Sequence, residues 1–289
     1  MLTALIKTMR PRQWTKNVFI FAALVFDKQL LSPDSFLRTL AGFALFCLIS
    51  SSVYIFNDLA DVEADRKHPE KKNRPIASGK LPINAAWIAG ITLVIFTFAL
   101  SWLLSTNFLI VVVLYFLINM AYSKWLKHIP ILDVLIIASG FVLRVHAGVT
   151  LIDVERFSPW LYVVMTLLSL FLGFGKRRAE LALLAHGAGS HRKVLDGYTL
   201  PLLDQYIMIV SGTTIVAYSL YTFSAPNVPD NHSMMLTIPF VVYAIFRYLY
   251  LIEVKHAGGA PEEILLSDRP FQIAMILWGA AVLAIFYLS

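Results

Sequence analysis

The stretch SSSVYIFNDLADVEADRKHPEKKNRPIASGKLP, residues 50–82, joins the end of a long apolar run to three aspartates and a train of bases. If a helix runs through it, at about 100° per residue Asp58, Asp61 and Asp65 fall within an arc of about 60° and rise about one turn at a time. Asn57 borders the same face. Carboxylates pointing one way repel one another unless a cation neutralises them. Magnesium suits such a set, since it takes hard oxygen ligands and shares its shell with phosphates and water. Arg66, Lys67, Lys71, Lys72 and Arg74 follow as partners for phosphate oxygens, with arginine able to hold two at once. The plainer reading of any one Asp here is a solvated helix end with i, i+4 ion pairs. The whole pattern, directly after an apolar run, favours a magnesium-bound phosphate.

Outward from this stretch, the apolar run proves to be one of many. The 289 residues are 58% hydrophobic and 15% charged with mean hydropathy +0.71, too apolar for a soluble chain of this length. A spanning helix needs about 20 mostly apolar residues, and nine runs are predicted, at about 16–31, 36–57, 84–104, 107–123, 131–150, 158–175, 204–223, 234–253 and 270–288. The expected fold is all-α, a polytopic membrane protein built as one transmembrane domain over 1–289. The first run follows Arg10, Pro11, Arg12 and Trp14 and has no small-residue cleavage site after it, so it reads as a retained helix rather than a signal peptide.

Lysine and arginine set the orientation. With a cytoplasmic N-terminus, most of the 24 bases fall on inside segments, while Lys28, Arg38 and Arg156 fall outside. An integral, multi-pass protein of the inner or plasma membrane is expected, with its N-terminus and acidic motif cytoplasmic. The net charge of +6 and pI near 9.3 then reflect topology and anionic lipid, and nucleic acid is not expected as a partner. Cys47 is the single cysteine and lies inside an apolar run, which excludes a disulfide framework or a Cys-based metal site. No His spacing suits a metal, and His186 and His191, in HGAGSH, read as loop residues. Two long cytoplasmic loops are expected, at about 59–83 and 176–203. Self-association into a homo-oligomer is left open.

Asn57, Asp58, Asp61, Asp65, Arg66, Arg74, Pro75 and Gly79 together resemble the first Asp-rich motif of the UbiA superfamily of intramembrane prenyltransferases. The resemblance implies nine transmembrane helices around a central cavity, cytoplasmic active-site loops, and magnesium on Asp58, Asp61 and Asp65 binding a diphosphate. Aromatic prenyltransferases of this superfamily carry a second Asp-rich motif after the sixth span. Here that position reads FLGFGKRRAELALLAHGAGSHRKVLDGY, residues 171–198, and the Asp pair is absent. Gly175, Lys176, Arg177, Arg178, Ala179 and Glu180 stand in its place. A basic cluster cannot ligate a metal, yet it suits a phosphate that no metal neutralises; the plainer reading is an ordinary positive-inside cluster.

A donor with a magnesium-bound diphosphate at one end and a bare phosphate at the other has the shape of 5-phosphoribosyl diphosphate. GKRRAEL (175–181), RPRQWTKNVFIFAAL (10–24), LDVLIIASGFVLRVHAG (132–148) and PEEILLSDRPFQ (261–272) are together similar to the decaprenyl-phosphate phosphoribosyltransferase branch of the superfamily. That similarity implies transfer of 5-phosphoribose to a polyprenyl phosphate with release of diphosphate, a step towards lipid-linked pentose donors such as those for cell-wall arabinose.

Further polar residues fall inside or beside spans. Asp133 and Arg144 would lie about 20° apart on one helix face but roughly 16 Å apart along it, too far to pair. Ionisable groups inside a span are costly and face a cavity or a partner. Arg144 is thus a candidate for the lipid phosphate or the donor and Asp133 for a ribose hydroxyl or a basic partner, with structural ion pairs equally open. The resemblance adds Lys16 and Asn17 at the cavity mouth and Tyr122 and Lys127 after the fourth span. Arg10 and Arg12, beside Trp14, read as interfacial anchors, and Glu262, Asp268 and Arg269 as cap and interface residues. Two rivals stand beside this reading: an aromatic or quinone-type prenyltransferase with a polyprenyl diphosphate donor, and a membrane transporter. The second is disfavoured because transporter sites sit near the midplane.

Overall fold

The computed structural model describes all residues except 70, 155–157, 186–191, 256–263, 265–266 and 289, and the side chain of Ala185. Arg156, His186, His191 and Glu262 therefore lie outside the described residues. What is described is helical, with no strand: α1 (Leu2–Met9), a 3-10 segment (Pro11–Phe21), α2 (Ala22–Phe26), α3 (Pro33–Ala60), α4 (Val62–Lys67), α5 (Ile83–Leu104), α6 (Thr106–Lys124), α7 (Leu132–Val149), α8 (Pro159–Ala185), α9 (Leu200–Ser224), α10 (Ile238–Glu253) and α11 (Arg269–Tyr287). Eight of these helical stretches, α3 and α5 to α11, are long and apolar enough to cross a membrane, α10 together with the 3-10 turn Ser233–Thr237 that leads into it. They fall on eight of the nine predicted runs.

The first predicted run, 16–31, folds differently. It is a 3-10 segment followed by the short α2 rather than one α-helix. At about 2.0 Å of rise per 3-10 residue and 1.5 Å per α residue, the 11 and five residues cover roughly 30 Å, about the thickness of a bilayer core. That length counts from Pro11, five residues before the predicted run, and the segment lacks the regular hydrogen bonding of a spanning α-helix. Its polar Asn17 is fully buried and donates to Cys47 Sγ and Ser50 Oγ, both at 3.3 Å.

The chain divides into two compact units. The first holds residues 1–25, 29–126 and 143–154, and its core is Ile20, Phe46, Ile49, Phe108 and Val112 with their neighbours. Pro33 and Asp34 open α3, a proline at the first position and an acid in the first turn. Ser105 caps α6 by accepting from Phe108 N, which lets α5 turn into α6 through a single residue. Gly148 lies so close to the 3-10 segment that a Cβ there would come within 1.9 Å of Ile20 O. Only a glycine permits that approach. Outward-facing Trp87, Ile88, Ile91, Phe96 and Leu103 of α5 are exposed, as lipid-facing side chains are.

The second unit holds residues 26–28, 127–142 and 155–289. Phe171, Phe174, Leu203, Ile207, Tyr248, Leu251 and Ile252 form its centre. Its helix α8 runs on to Ala185, where a loop from 176 was expected. The reason is local: GKRRAELALLA is rich in good helix formers, and Arg177 and Glu180 pair at i, i+3. Thr199 caps α9 by accepting from Leu202 N, and Asp268 caps α11 by accepting from Phe271 N at 2.8 Å.

Candidate active site

Helix α3 ends at Ala60, and Asp61 breaks it with φ −95° and ψ 6° before α4 begins. The uninterrupted helix on which the 60° arc was drawn is thus corrected to a kinked one. Hydrogen bonds nevertheless step across the break, from Asp61 N to Asn57 O and from Asp65 N to Asp61 O, so the polypeptide keeps nearly helical phase. Asp58 and Asp65 are buried, at 3% and 4% exposure, and Asp61 is half-buried at the kink.

One guanidinium joins the two buried acids. Arg74 Nη1 donates to Asp58 Oδ1 at 3.1 Å and to Asp65 Oδ2 at 2.7 Å. The loop that carries Arg74 is fixed by its own sequence. Ile76 and Leu81 are almost fully buried against Ile55, Leu59 and Ala86, each contributing about 1.5–3 kcal/mol by burial. Between them, Ser78 N bonds Arg74 O and Leu81 N bonds Pro75 O, both at 2.9 Å. Gly79 turns the chain at φ +77°, a conformation side chains rarely adopt. Arg66, by contrast, is drawn to Glu63 Oε1 at 2.7 Å and to Ala77 O, while Lys71 is half-buried with its backbone N–H on His68 Nδ1.

A further guanidinium reaches Asp58 from the N-terminal segment. Arg10 Nη2 donates to the same Oδ1 at 2.6 Å. Sequence reading assigned Arg10 to anchoring; 48 positions separate the pair and no local pattern links them.

The donor set fits a magnesium ion in kind. Asp58 and Asp65 offer buried hard oxygens, and Asn57 Oδ1 is buried with no hydrogen-bond partner among the described residues. No three His, Cys, Asp or Glu side chains among the described residues form a metal-holding group by themselves. Magnesium does not demand one, because it is ordinarily held by one or two carboxylates plus substrate phosphates and water.

Elsewhere in the first unit, Arg144 is buried. Its Nε donates to Asn17 Oδ1 and its Nη2 to Tyr115 OH, both at 2.8 Å, and the guanidinium lies over the Phe46 and Tyr115 rings. Lys16 and Tyr122 are half-buried. Tyr115 was not singled out from sequence, since a tyrosine in an apolar run carries no signal of its own.

In the second unit, Asp133 is fully buried and receives Arg177 Nε at 2.6 Å and the Tyr198 hydroxyl at 2.7 Å. Arg177, at 2% exposure, also holds Glu180 Oε2 at 2.7 Å. Arg178 pairs with Asp204 and, at 2.7 Å, with Glu253. This departs from the expected bare cationic cradle: two of its three bases are engaged by carboxylates, Arg177 being the basic partner left open for Asp133, while Asp204 and Glu253 carried no signal in the sequence. Lys176 is half-buried with no ion-pair partner among the described residues, and Lys127 is also half-buried. Burial and the Asp133 hydrogen bond push the Tyr198 hydroxyl well above the usual tyrosine range, so it stays a donor. At the start of α11, Asp268 receives both Arg247 Nε at 3.1 Å and Nη2 at 2.8 Å; these bonds hold its carboxyl below the usual aspartate range.

Eight helices long and apolar enough to cross a membrane, with arginine-bridged aspartates buried where one of them ends, define an integral, multi-pass membrane protein. The chain belongs to the UbiA prenyltransferase family, whose model matches residues 17–264. It is 37% identical to the decaprenyl-phosphate phosphoribosyltransferase of Mycolicibacterium smegmatis, over 100% of this chain and 94% of that one. The enzyme of the same name from Mycobacterium tuberculosis is 34% identical, over 98% and 94%. A UbiA homologue from Archaeoglobus fulgidus, solved with DMAPP and Mg2+, shares the fold with a TM-score of 0.73 at 18% identity, covering 99% of each chain.

Proposed function

We propose that this chain is a magnesium-dependent polyprenyl-phosphate 5-phosphoribosyltransferase, moving 5-phosphoribose from 5-phosphoribosyl diphosphate to a polyprenyl phosphate and releasing diphosphate. The observation that carries the reading is end-to-end similarity, at 37% identity, to a relative named for that reaction. The absence of an Asp pair at 171–198 favours it over the aromatic prenyltransferase. Asp58 and Asp65, with Asp61 at the kink, are the ligands we assign to magnesium, beside Asn57. Bound there with the donor, the ion would offset charge developing on the leaving diphosphate.

The chain's own residues supply the rest. Arg74 and Arg66, with Lys71, are the cations we assign to diphosphate oxygens. Lys176, the base of the 176–178 cluster with no ion pair among the described residues, is the one we assign to a phosphoryl group, with Arg177 and Arg178 beside it on α8. Lys16, Asn17, Tyr122, Lys127, Asp133 and Arg144 are assigned to lining or bracing the substrates. Glycosyl transfer of this kind passes through an oxocarbenium-like transition state. The acceptor phosphate is already anionic at neutral pH, so it attacks C1 with inversion and needs no general base. Placement of the N-terminus and the acidic centre on the cytoplasmic side follows from the distribution of bases.

Purified protein should form lipid product from labelled 5-phosphoribosyl diphosphate and polyprenyl phosphate, and release diphosphate only with magnesium. Product from polyprenyl diphosphate and 4-hydroxybenzoate instead would replace this reading with the aromatic one.

A further inference from the structure

Arg10 sits in a conformation that its surroundings impose. Its backbone is left-handed, at φ 54° and ψ 62°, which a residue with a side chain seldom adopts. The chain on either side is tied to α3: Ser51 Oγ lies 3.2 Å from Met9 O, and Trp14 Nε1 donates to Ser51 Oγ at 3.0 Å. The Arg10 guanidinium then packs over the Tyr54 ring, 4.9 Å from its centre, and ends on Asp58 Oδ1. Two guanidiniums, Arg10 and Arg74, therefore meet one oxygen of a buried carboxylate. Arg10, Arg74, Asp58 and Asp65, the four groups joined by these bonds, sum to zero formal charge, with Asp61 at the kink the further acid of the motif.

That neutrality has a consequence for loading. A divalent cation arriving alone at Asp58 meets two guanidiniums already on its Oδ1, and either displaces one or binds against their positive charge. A cation arriving with diphosphate brings the anion that receives the displaced guanidinium, with charge-assisted hydrogen bonds to its oxygens. We propose that Arg10 is a positioning residue that makes the acidic centre discriminate against metal alone and in favour of metal together with diphosphate, an inference resting on the reading of Asp58 as a metal ligand.

The test uses the full-length protein and binding rather than turnover. Mn2+ alone is titrated and followed by electron paramagnetic resonance. Retention of labelled inorganic diphosphate is measured separately by equilibrium dialysis at saturating Mn2+. Arg10→Gln should tighten Mn2+ binding by about tenfold and weaken diphosphate retention by a comparable factor, on the order of 1.4 kcal/mol each way. Arg10→Lys keeps the charge and should stay close to the parent in both measurements, and it preserves the comparison if Arg10→Gln is poorly folded, since a shift to tighter Mn2+ in the lysine variant would contradict the proposal. Unchanged or weaker Mn2+ binding in Arg10→Gln overturns it. Asp58→Asn separates the two levels: if it leaves Mn2+ binding intact, the metal-ligand reading itself fails, whereas loss of Mn2+ there with no effect of Arg10→Gln defeats only the role given to Arg10.

Discussion

Replacing Asp133 by alanine asks whether the buried cluster of the second unit is scaffold. The carboxylate is fully buried, takes Arg177 Nε at 2.6 Å on Oδ2, and takes the Tyr198 hydroxyl at 2.7 Å on Oδ1. Its removal strips a buried guanidinium of one counter-ion and a buried hydroxyl of its acceptor. Breaking a buried ion pair from one side costs about 3–5 kcal/mol, and an orphaned buried donor about 1–3 kcal/mol. The two overlap, and Glu180, 2.7 Å from the other side of the same guanidinium, stays in place. A net loss of about 4 kcal/mol is expected, which at 2–4 °C per kcal/mol lowers the melting temperature by on the order of 10 °C. Heating detergent-solubilised protein and following the folded fraction by size exclusion reads it. The double variant Asp133→Leu with Arg177→Met should regain part of the loss, because it removes the uncompensated guanidinium, while Glu180 loses Arg177 and the Tyr198 hydroxyl still lacks its acceptor. An alanine variant as stable as the parent, or a double variant no better than the single, would refute the reasoning. Activity in a folded double variant then assigns the role: transfer at the parent's donor KM marks the pair as scaffold, and lost transfer returns both side chains to the substrate site.

Asp58→Ala should lower transfer by about 100-fold or more while the protein still elutes as a folded species; diphosphate release against magnesium concentration measures it, and parental activity removes the metal role. Gly79→Ala meets no atom within 4 Å, so its cost is the left-handed backbone alone, about 1 kcal/mol, and it should loosen the turn bearing Arg74, raising donor KM more than it lowers kcat in steady-state assays. Gly148→Ala, which drives a methyl into Ile20 O, should cost about 1–3 kcal/mol or more and show as a lower melting temperature. The carboxyl of Asp268 is held below its unfolded value by Arg247, so its contribution to stability is present above about pH 4 and lost as pH falls through the depressed value. Acid unfolding of the parent should thus be steeper there than that of Asp268→Asn, which keeps the helix cap; identical acid profiles would dismiss the Arg247 pairing as a source of stability.

Eight spans and the acidic stretch were legible in the sequence because both are local. Lipid leaves backbone groups no partner outside the helix, so each crossing must be written as about 20 apolar residues in a row, and carboxylates a turn apart declare their shared face by spacing alone. The GKRRAEL stretch was legible only as positive charge. Which acids would meet Arg177 and Arg178 depended on where α7, α9 and α10 pass, and that follows from close approaches such as Gly173 against Val134, where a Cβ would fall 2.5 Å from Cγ1. The same holds for Arg10 and Asp58, 48 positions apart. Sequence determined the membrane, the helices and the acidic motif; tertiary packing alone decided which cations neutralise which carboxylates. A hydrogen bond between distant side chains is set by the separation of packed helices, a quantity that no single helix's periodicity contains.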